Sequence, residues 1–195
     1  MTPDRNRQDQ PAPLADMVVA IDKALAAAKV PHAIGGALAY GYYAEPRVTI
    51  DVDVNVFVST ERWPEVRKAL DELGIDVSTD EAALARDGQV RLWWGRIAVD
   101  LFFSYDPFHD EMEGAIRRVP FGSTRIPILG PEHLAVCKAM FDRPKDWLDL
   151  EAMLAFTDPL DVDAIESWLT RMVGPEDERL EKLGALIERL DLRPE

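Results

Sequence analysis

The sequence predicts an α/β (α+β) chain, a mixed β-sheet flanked by helices and followed by a C-terminal helical region. Three observations predict it. Residues 48–58, VTIDVDVNVFV, alternate β-branched with short polar residues at strand period two. Residues 89–94 and 96–103 are two further β-prone runs that meet at Gly95, which suggests a hairpin. From Pro131 onward four segments are helix-like, with Pro at first-turn positions and Asp or Glu nearby.

The elements follow in order. Residues 1–13, MTPDRNRQDQPAP, are polar and proline-bearing and read as a loose tail. Residues 14–29 are alanine-rich, and Met17, Val18, Ile21, Leu25 and Ala28 recur on one helix face. A short strand through Ala33 and Ile34 ends at Gly35-Gly36, after which ALAYGYYA reads as a helix that stops before Pro46. After the 48–58 strand, residues 61–73 form a helix capped by Ser59 or Thr60, and 75–77 return as strand. Residues 104–114 read as a polar and aromatic loop, and 125–129 as a short strand before Gly130-Pro131. Helices over 131–141, 145–156, 161–173 and 175–190 complete the chain, with no internal repeat. The expected organisation is a tail (1–13), an α/β core (14–130) and a helical region (131–195) packed on it.

Composition narrows the function. Of 195 residues, 47% are hydrophobic and 30% charged, which excludes a disordered or fibrous chain. Lys plus Arg is 22 and Asp plus Glu 36, a net charge of -14 that repels phosphate backbones. A long RNA partner would need a local basic surface, for which Arg117, Arg118 and Arg125 are candidates. The single cysteine, Cys137, cannot form an intrachain disulfide and fits a reducing compartment, the cytoplasm by default. The apolar run 14–30 is interrupted by Asp16, Asp22, Lys23 and Lys29, so no membrane span is expected.

The chemistry concentrates in the strand carrying Asp51 and Asp53. Strand alternation sends Thr49, Asp51 and Asp53 to one face while Val52, Val54 and Val56 point to the core. Two carboxylates about 4 Å apart repel by about 4 kcal/mol at an effective dielectric near 20, and a hard divalent cation offsets that repulsion. A solvated strand face carrying two acids is the alternative. Asp100 lies within IAVDLFF, where an unpaired carboxylate is expensive. Either it joins Asp51 and Asp53 around a metal or it forms a buried salt bridge with Arg47, Arg91 or Arg96. Gly35-Gly36 ahead of a helix offers backbone N–H groups to a phosphate, or is simply a tight turn. Lys145 and Asp149 fall on one helix face with Asp146 beside them, either a functional cluster or an ordinary surface ion pair. His32, His109 and His133 lack metal-ligand spacing and read as structural or solvated. Trp93-Trp94 and the Leu180, Leu183, Ile187, Leu190 stripe read as packing.

Together, IGGALAYGYYAEPRVTIDVDVNVFV and IAVDLFF resemble the nucleotidyltransferase superfamily to which DNA polymerase beta belongs. The Gly-Gly pair, the R-x-T-x-D-x-D run and HLAVCKAMFDRPKDWLDLEAML are similar to AbiEii-type toxins and related stand-alone bacterial nucleotidyltransferases. The resemblance implies a nucleotidyltransferase-like fold and Mg²⁺ (or Mn²⁺) held by Asp51, Asp53 and Asp100, with Asp100 activating the acceptor hydroxyl. It further implies a triphosphate cradled by Gly35 and Gly36 and reached by Lys138, with Lys145, Asp146 and Asp149 nearby. Many members carry Gly-Ser where this chain has Gly35-Gly36, so Arg47 or Thr49 stands in for the missing hydroxyl. The expected reaction moves an NMP from an NTP to a hydroxyl of tRNA, protein or a small molecule, with a toxin role and a cognate antitoxin as further implications. The alternative is a catalytically silent nucleotide-sensing or partner-binding module on the same fold.

Overall fold

The structure is a computed structural model that describes residues 13–157 and 159–192. Residues 1–12 of the expected tail lie outside the described residues. The chain opens with α1 (Leu14–Ala27), whose buried face is Met17, Val18, Ile21 and Leu25 as the periodicity requires. Then come β1 (His32–Ile34), the five-residue helix α2 (Gly36–Tyr40) and β2 (Asp51–Val56). A 3₁₀ turn over Thr60–Arg62 leads into α3 (Trp63–Asp71), with Pro64 in its first turn. Next are α4 (Glu81–Asp87), β3 (Gln89–Trp94), β4 (Ile97–Phe103) and α5 (Pro107–Gly114), followed by the hairpin β5 (Arg117–Phe121) and β6 (Thr124–Ile128). The helices α6 (Pro131–Phe141), α7 (Pro144–Phe156), α8 (Val162–Val173) and α9 (Glu178–Arg189) finish the chain.

The six strands form one mixed sheet in the order β3-β4-β2-β1-β6-β5. The pairs β2–β4 and β1–β6 are parallel, and the others antiparallel. Both hairpins turn on glycines at positive φ, Gly95 and Gly122. Val52, Val54 and Val56 are fully buried beside Val99, Leu101 and Phe103, and one apolar cluster continues from these strands to Leu150, Ile165, Leu183 and Ile187 of the C-terminal helices.

Several elements depart from the sequence reading for local reasons. The strand expected from residue 48 begins at Asp51, because its partner β4 pairs with it only from Asp51↔Ala98 onward. Val48 and Ile50 consequently stand 90% and 73% exposed. The helix after Gly35 closes at Tyr40 rather than continuing to Ala44, and residues 75–77 contribute one bridge, Asp76 to Trp93, in place of a strand. Helices α4 and α5 replace segments without an assigned helix. Asp80 caps the first, accepting from the Ala82 and Ala83 amides, and Asp106 caps the second, accepting from Phe108 N–H. Ser59 makes no side-chain cap bond. β5 was not apparent in the sequence, since its RRVPF pattern lacks apolar alternation. Among the described residues no helix is long and apolar enough to cross a membrane.

Candidate active site

Parallel pairing of β2 with β4 sets Asp53 directly opposite Asp100, with Asp51 two residues earlier on the same face of β2. Asp100 is 9% exposed, and Arg91, its cross-strand partner on β3, holds it in a two-pronged pair with both N···O distances 2.7 Å. Of the two fates open to Asp100 in the sequence, the structure therefore combines them: it neighbours Asp53 and it is salt-bridged.

The Asp53 carboxylate has no hydrogen-bond partner among the described residues, although the Asp53 backbone carbonyl accepts from Gly35 N–H at 2.9 Å. Desolvation, then the charges of Asp51 and Asp100, push its carboxyl up to about 6, against the opposing pull of Lys138 and Arg143. Beneath it lies Gly36, at φ +54, where an added Cβ would fall 1.7 Å from Asp53 Oδ2. Only glycine admits the carboxylate so close to that backbone. Gly35 plays a parallel part for Asn55, whose Nδ2 would be 2.8 Å from a Cβ there.

The remaining expected residues sort into two groups. Thr49 precedes the strand rather than sharing its face, and its Oγ1 hydrogen-bonds the Asp51 carboxylate. Arg47, expected to be free for phosphate, grips Asp149 at 3.0 and 2.9 Å. Lys138 is buried between Asp149 and Asp146, at 2.5 and 3.8 Å, and lies 5.5 Å from the centre of the Tyr40 ring. The Arg47 and Lys138 bonds hold Asp149 below the usual carboxylate range despite its burial. Lys145 does not join this group. It is exposed on α7 with no ion pair or hydrogen bond among the described residues, because helix spacing alone does not bend its chain toward a carboxylate already doubly engaged. Arg143, not among the residues the sequence singles out, takes its place by pairing with Asp146 and lining the acidic cavity. Its position at the α7 N-cap, three residues before Asp146, was the available signal.

That cavity, of about 360 Å³, is walled by Asp51, Asp53 and Asp100 with Arg91, Arg143 and Gln89. Among the described residues no group of three or more His, Cys, Asp or Glu is arranged to hold a metal ion. Both oxygens of Asp100 are engaged by Arg91. Asp51 and Asp53 nevertheless suit a hard cation, since Mg²⁺ is commonly bound by one or two carboxylates together with substrate phosphates. Burial is the larger cause of the raised Asp53 carboxyl, and the second, the charges of Asp51 and Asp100, is what a cation would relieve.

Comparison with solved structures identifies the fold. The solution structure of the antibiotic-resistance factor ANT(2'')-Ia is similar over 94% of this chain and 96% of its own, with TM-score 0.54 and 15% identity. A crystal structure of ANT(2")-Ia in complex with adenylyl-2"-tobramycin gives TM-score 0.53 at 16% identity, covering 90% of this chain and 98% of the other. The lincosamide antibiotic adenylyltransferase LnuA, lincomycin-bound, gives TM-score 0.54 at 12% identity, over 73% of this chain and 97% of that one. The chain has the nucleotidyltransferase fold. No protein-family model matches the sequence, and no curated protein matches it.

Proposed function

We infer that the chain is a nucleotidyltransferase that moves a nucleoside monophosphate from an NTP to an acceptor hydroxyl and releases pyrophosphate. The observation that carries this reading is the facing pair Asp53 and Asp100 on parallel strands, with Asp51 on the same face and Gly36 cleared beneath Asp53. Asp51 and Asp53, joined by Asp100, would hold Mg²⁺ or Mn²⁺, which when bound neutralises phosphate charge and favours in-line displacement. Thr49 orients the Asp51 carboxylate through its hydroxyl.

The acceptor oxygen bonds to the α-phosphorus, the bond from that phosphorus to the bridging oxygen of pyrophosphate breaks, and the hydroxyl proton passes to Asp100. Asp100 accepts two donors at 2.7 Å from Arg91, whose side chain is 57% exposed and has a route outward. Arg47, Lys138 and Arg143 carry three positive charges against the two of Asp146 and Asp149. The surplus positive charge beside the acids, with the Gly35 and Gly36 backbone, suits a triphosphate. The antibiotic-sized molecules bound in the similar structures, adenylyl-2"-tobramycin with ANT(2")-Ia and lincomycin with LnuA, favour an acceptor of that size over tRNA or protein. A toxin role with a cognate antitoxin, and a cytoplasmic location, rest on the sequence reading alone.

The second reading, a catalytically silent nucleotide-sensing or partner-binding module, is favoured by one observation, the Arg91 guanidinium seated on Asp100. Transfer of label from each α-³²P NTP with Mg²⁺ or Mn²⁺ into the RNA, protein and small-molecule fractions of a bacterial lysate separates the two. The transferase reading expects label that disappears in Asp51→Asn/Asp53→Asn. Label that is indifferent to those changes would sink it.

A further inference from the structure

A second cavity, of about 250 Å³, adjoins the acidic one and shares Asp53 with it. Its walls are largely apolar, with Phe102 from β4, Phe108 and Met112 from α5 and Phe141 from α6. Its acids stand at the edges, Asp53 at the border with the acidic cavity and Asp87 paired with Arg86. Burial holds the His109 imidazole below its usual range and pushes the Cys137 thiol up to about 12, so both are neutral at pH 7. Lys138 is already neutralised by Asp146 and Asp149.

Two polar side chains interrupt this lining. Asn55 and His109 are each 7% exposed. The Asn55 amide makes no hydrogen bond among the described residues, and His109 uses only Nδ1, 3.2 Å from the Asp106 carbonyl, leaving Nε2 without a protein partner. Neither free group is sealed in the core, where the unpaired side-chain atoms among the described residues are Trp63 Nε1 and His133 Nδ1, so both remain accessible to water or a ligand. Here both border the same cavity. Asn55 also continues the alternation of Asp51 and Asp53 along β2, so it lies on the face that carries the acids.

We propose that this cavity is a subsite for a small, uncharged ring with a hydrogen-bonding edge, recognised by Asn55 and His109 and leading toward Asp53. The proposal rests on the transferase reading for the ring's connection to the reaction. The volume falls below the roughly 300 Å³ at which drug-sized sites begin, which excludes a folded RNA or a protein segment. A ring of this chemistry reaches the site from either of two sources, the base of the nucleotide donor or the body of a hydroxyl-bearing acceptor.

The test is a fluorescence titration of the full chain with 2-aminopurine and with 2-naphthol, in wild type, Asn55→Leu and His109→Phe, with and without each Mg²⁺-NTP. Saturable binding of at least one probe is expected, weakened about tenfold by each substitution, the effect of losing one directed hydrogen bond. Thermal melts establish that the variants fold. Asn55→Leu, which removes an unpaired buried amide at similar volume, is expected to keep its melting point and so carries the test if His109→Phe does not fold. Displacement of the probe by an NTP assigns the ring to the nucleobase, and binding alongside the NTP assigns it to the acceptor. Absence of saturable binding, or equal affinity in wild type and the folded variants, overturns the subsite. Asp51→Asn is scored separately for label transfer. Ring binding with no transfer in wild type would remove the transferase reading and leave the subsite, whereas transfer with no ring binding would remove the subsite alone.

Discussion

Arg91 and Asp100 face each other across the antiparallel β3–β4 pair, and the guanidinium closes on the carboxylate with two 2.7 Å bonds while its own side chain stays 57% exposed. On the transferase reading, a cation of the protein thus stands where a metal would meet Asp100. Arg91→Met is expected to tighten Mn²⁺ binding severalfold, read by electron paramagnetic resonance. The same variant should lose stability without metal and recover it with Mn²⁺, because binding to the native state alone stabilises it. Unchanged Mn²⁺ affinity would show that Arg91 and the metal do not compete.

Asp53→Asn should stabilise the protein while abolishing transfer. A carboxyl lifted from 3.8 to about 6 binds its proton more tightly in the native state. The charged form is therefore disfavoured by folding, by roughly 2–3 kcal/mol above pH 6. Wild type recovers that stability as the pH falls from 6 toward 4, so the advantage of the variant shrinks over the same window. Urea unfolding at pH 7.5 and pH 4.5 reads the difference, and a variant less stable than wild type at the higher pH contradicts it.

Gly36→Ala is expected to be severe. Its Cβ would occupy the space of Asp53 Oδ2, and φ +54 disfavours any L side chain, at about 1 kcal/mol or more for the backbone alone. Displacement of Asp53 predicts loss of both Mn²⁺ binding and transfer, whereas Gly122→Ala, with nothing within 4 Å of its added Cβ, should show the backbone penalty only.

Asp149→Ala and Lys145→Ala separate the buried cluster from the helix surface. Removing Asp149 leaves Arg47 and Lys138 without their shared partner, and loss of one member of a buried ionic group costs about 3–5 kcal/mol. Lys145, exposed and unpaired among the described residues, should change stability by no more than about 0.5 kcal/mol. Equal melting points for the two variants would contradict this division.

Tyr43→Phe tests a buried hydroxyl that donates to the Leu129 carbonyl at 2.6 Å. Its loss should cost about 1 kcal/mol at neutral pH. Burial raises this phenol to about 12, so the native state keeps the proton that the unfolded chain releases near 10. Wild-type stability therefore falls as pH rises from 10 to 12, and the variant should lack this component of the fall.

Much of this was legible in the sequence. The alternation in DVDVNV placed Asp51 and Asp53 on one face and the valines in the core, and the apolar setting of Asp100 marked it as a residue in need of a partner. Which partner was not legible, since the Arg91↔Asp100 register depends on where the hairpin turns. Helices α4 and α5 were hidden because each is short and its cap, Asp80 or Asp106, is one acid among many in this chain. Lys145 illustrates the limit of spacing arguments: i,i+4 geometry says which residues share a helix face, while tertiary contacts decide that Arg47 and Lys138 reach Asp149 first. His109 carried no local signal at all, and its relation to Asn55 exists only once α5 covers the sheet.

The sheet order also bears on how the molecule assembles. β3 and β4 are joined through Gly95 and pair locally, and β2 reaches β4 across the intervening α3 and α4. The central strand β1, in contrast, meets β6 only when Ile34 finds Ile128, and Lys138 and Arg143 follow later still in the chain. Long-range pairings of this kind are slow to form because loop closure precedes their reward. During synthesis the three acids therefore emerge well before Lys138 and Arg143, and for that interval the charge they carry is balanced by the surrounding electrolyte and by Arg47 and Arg91.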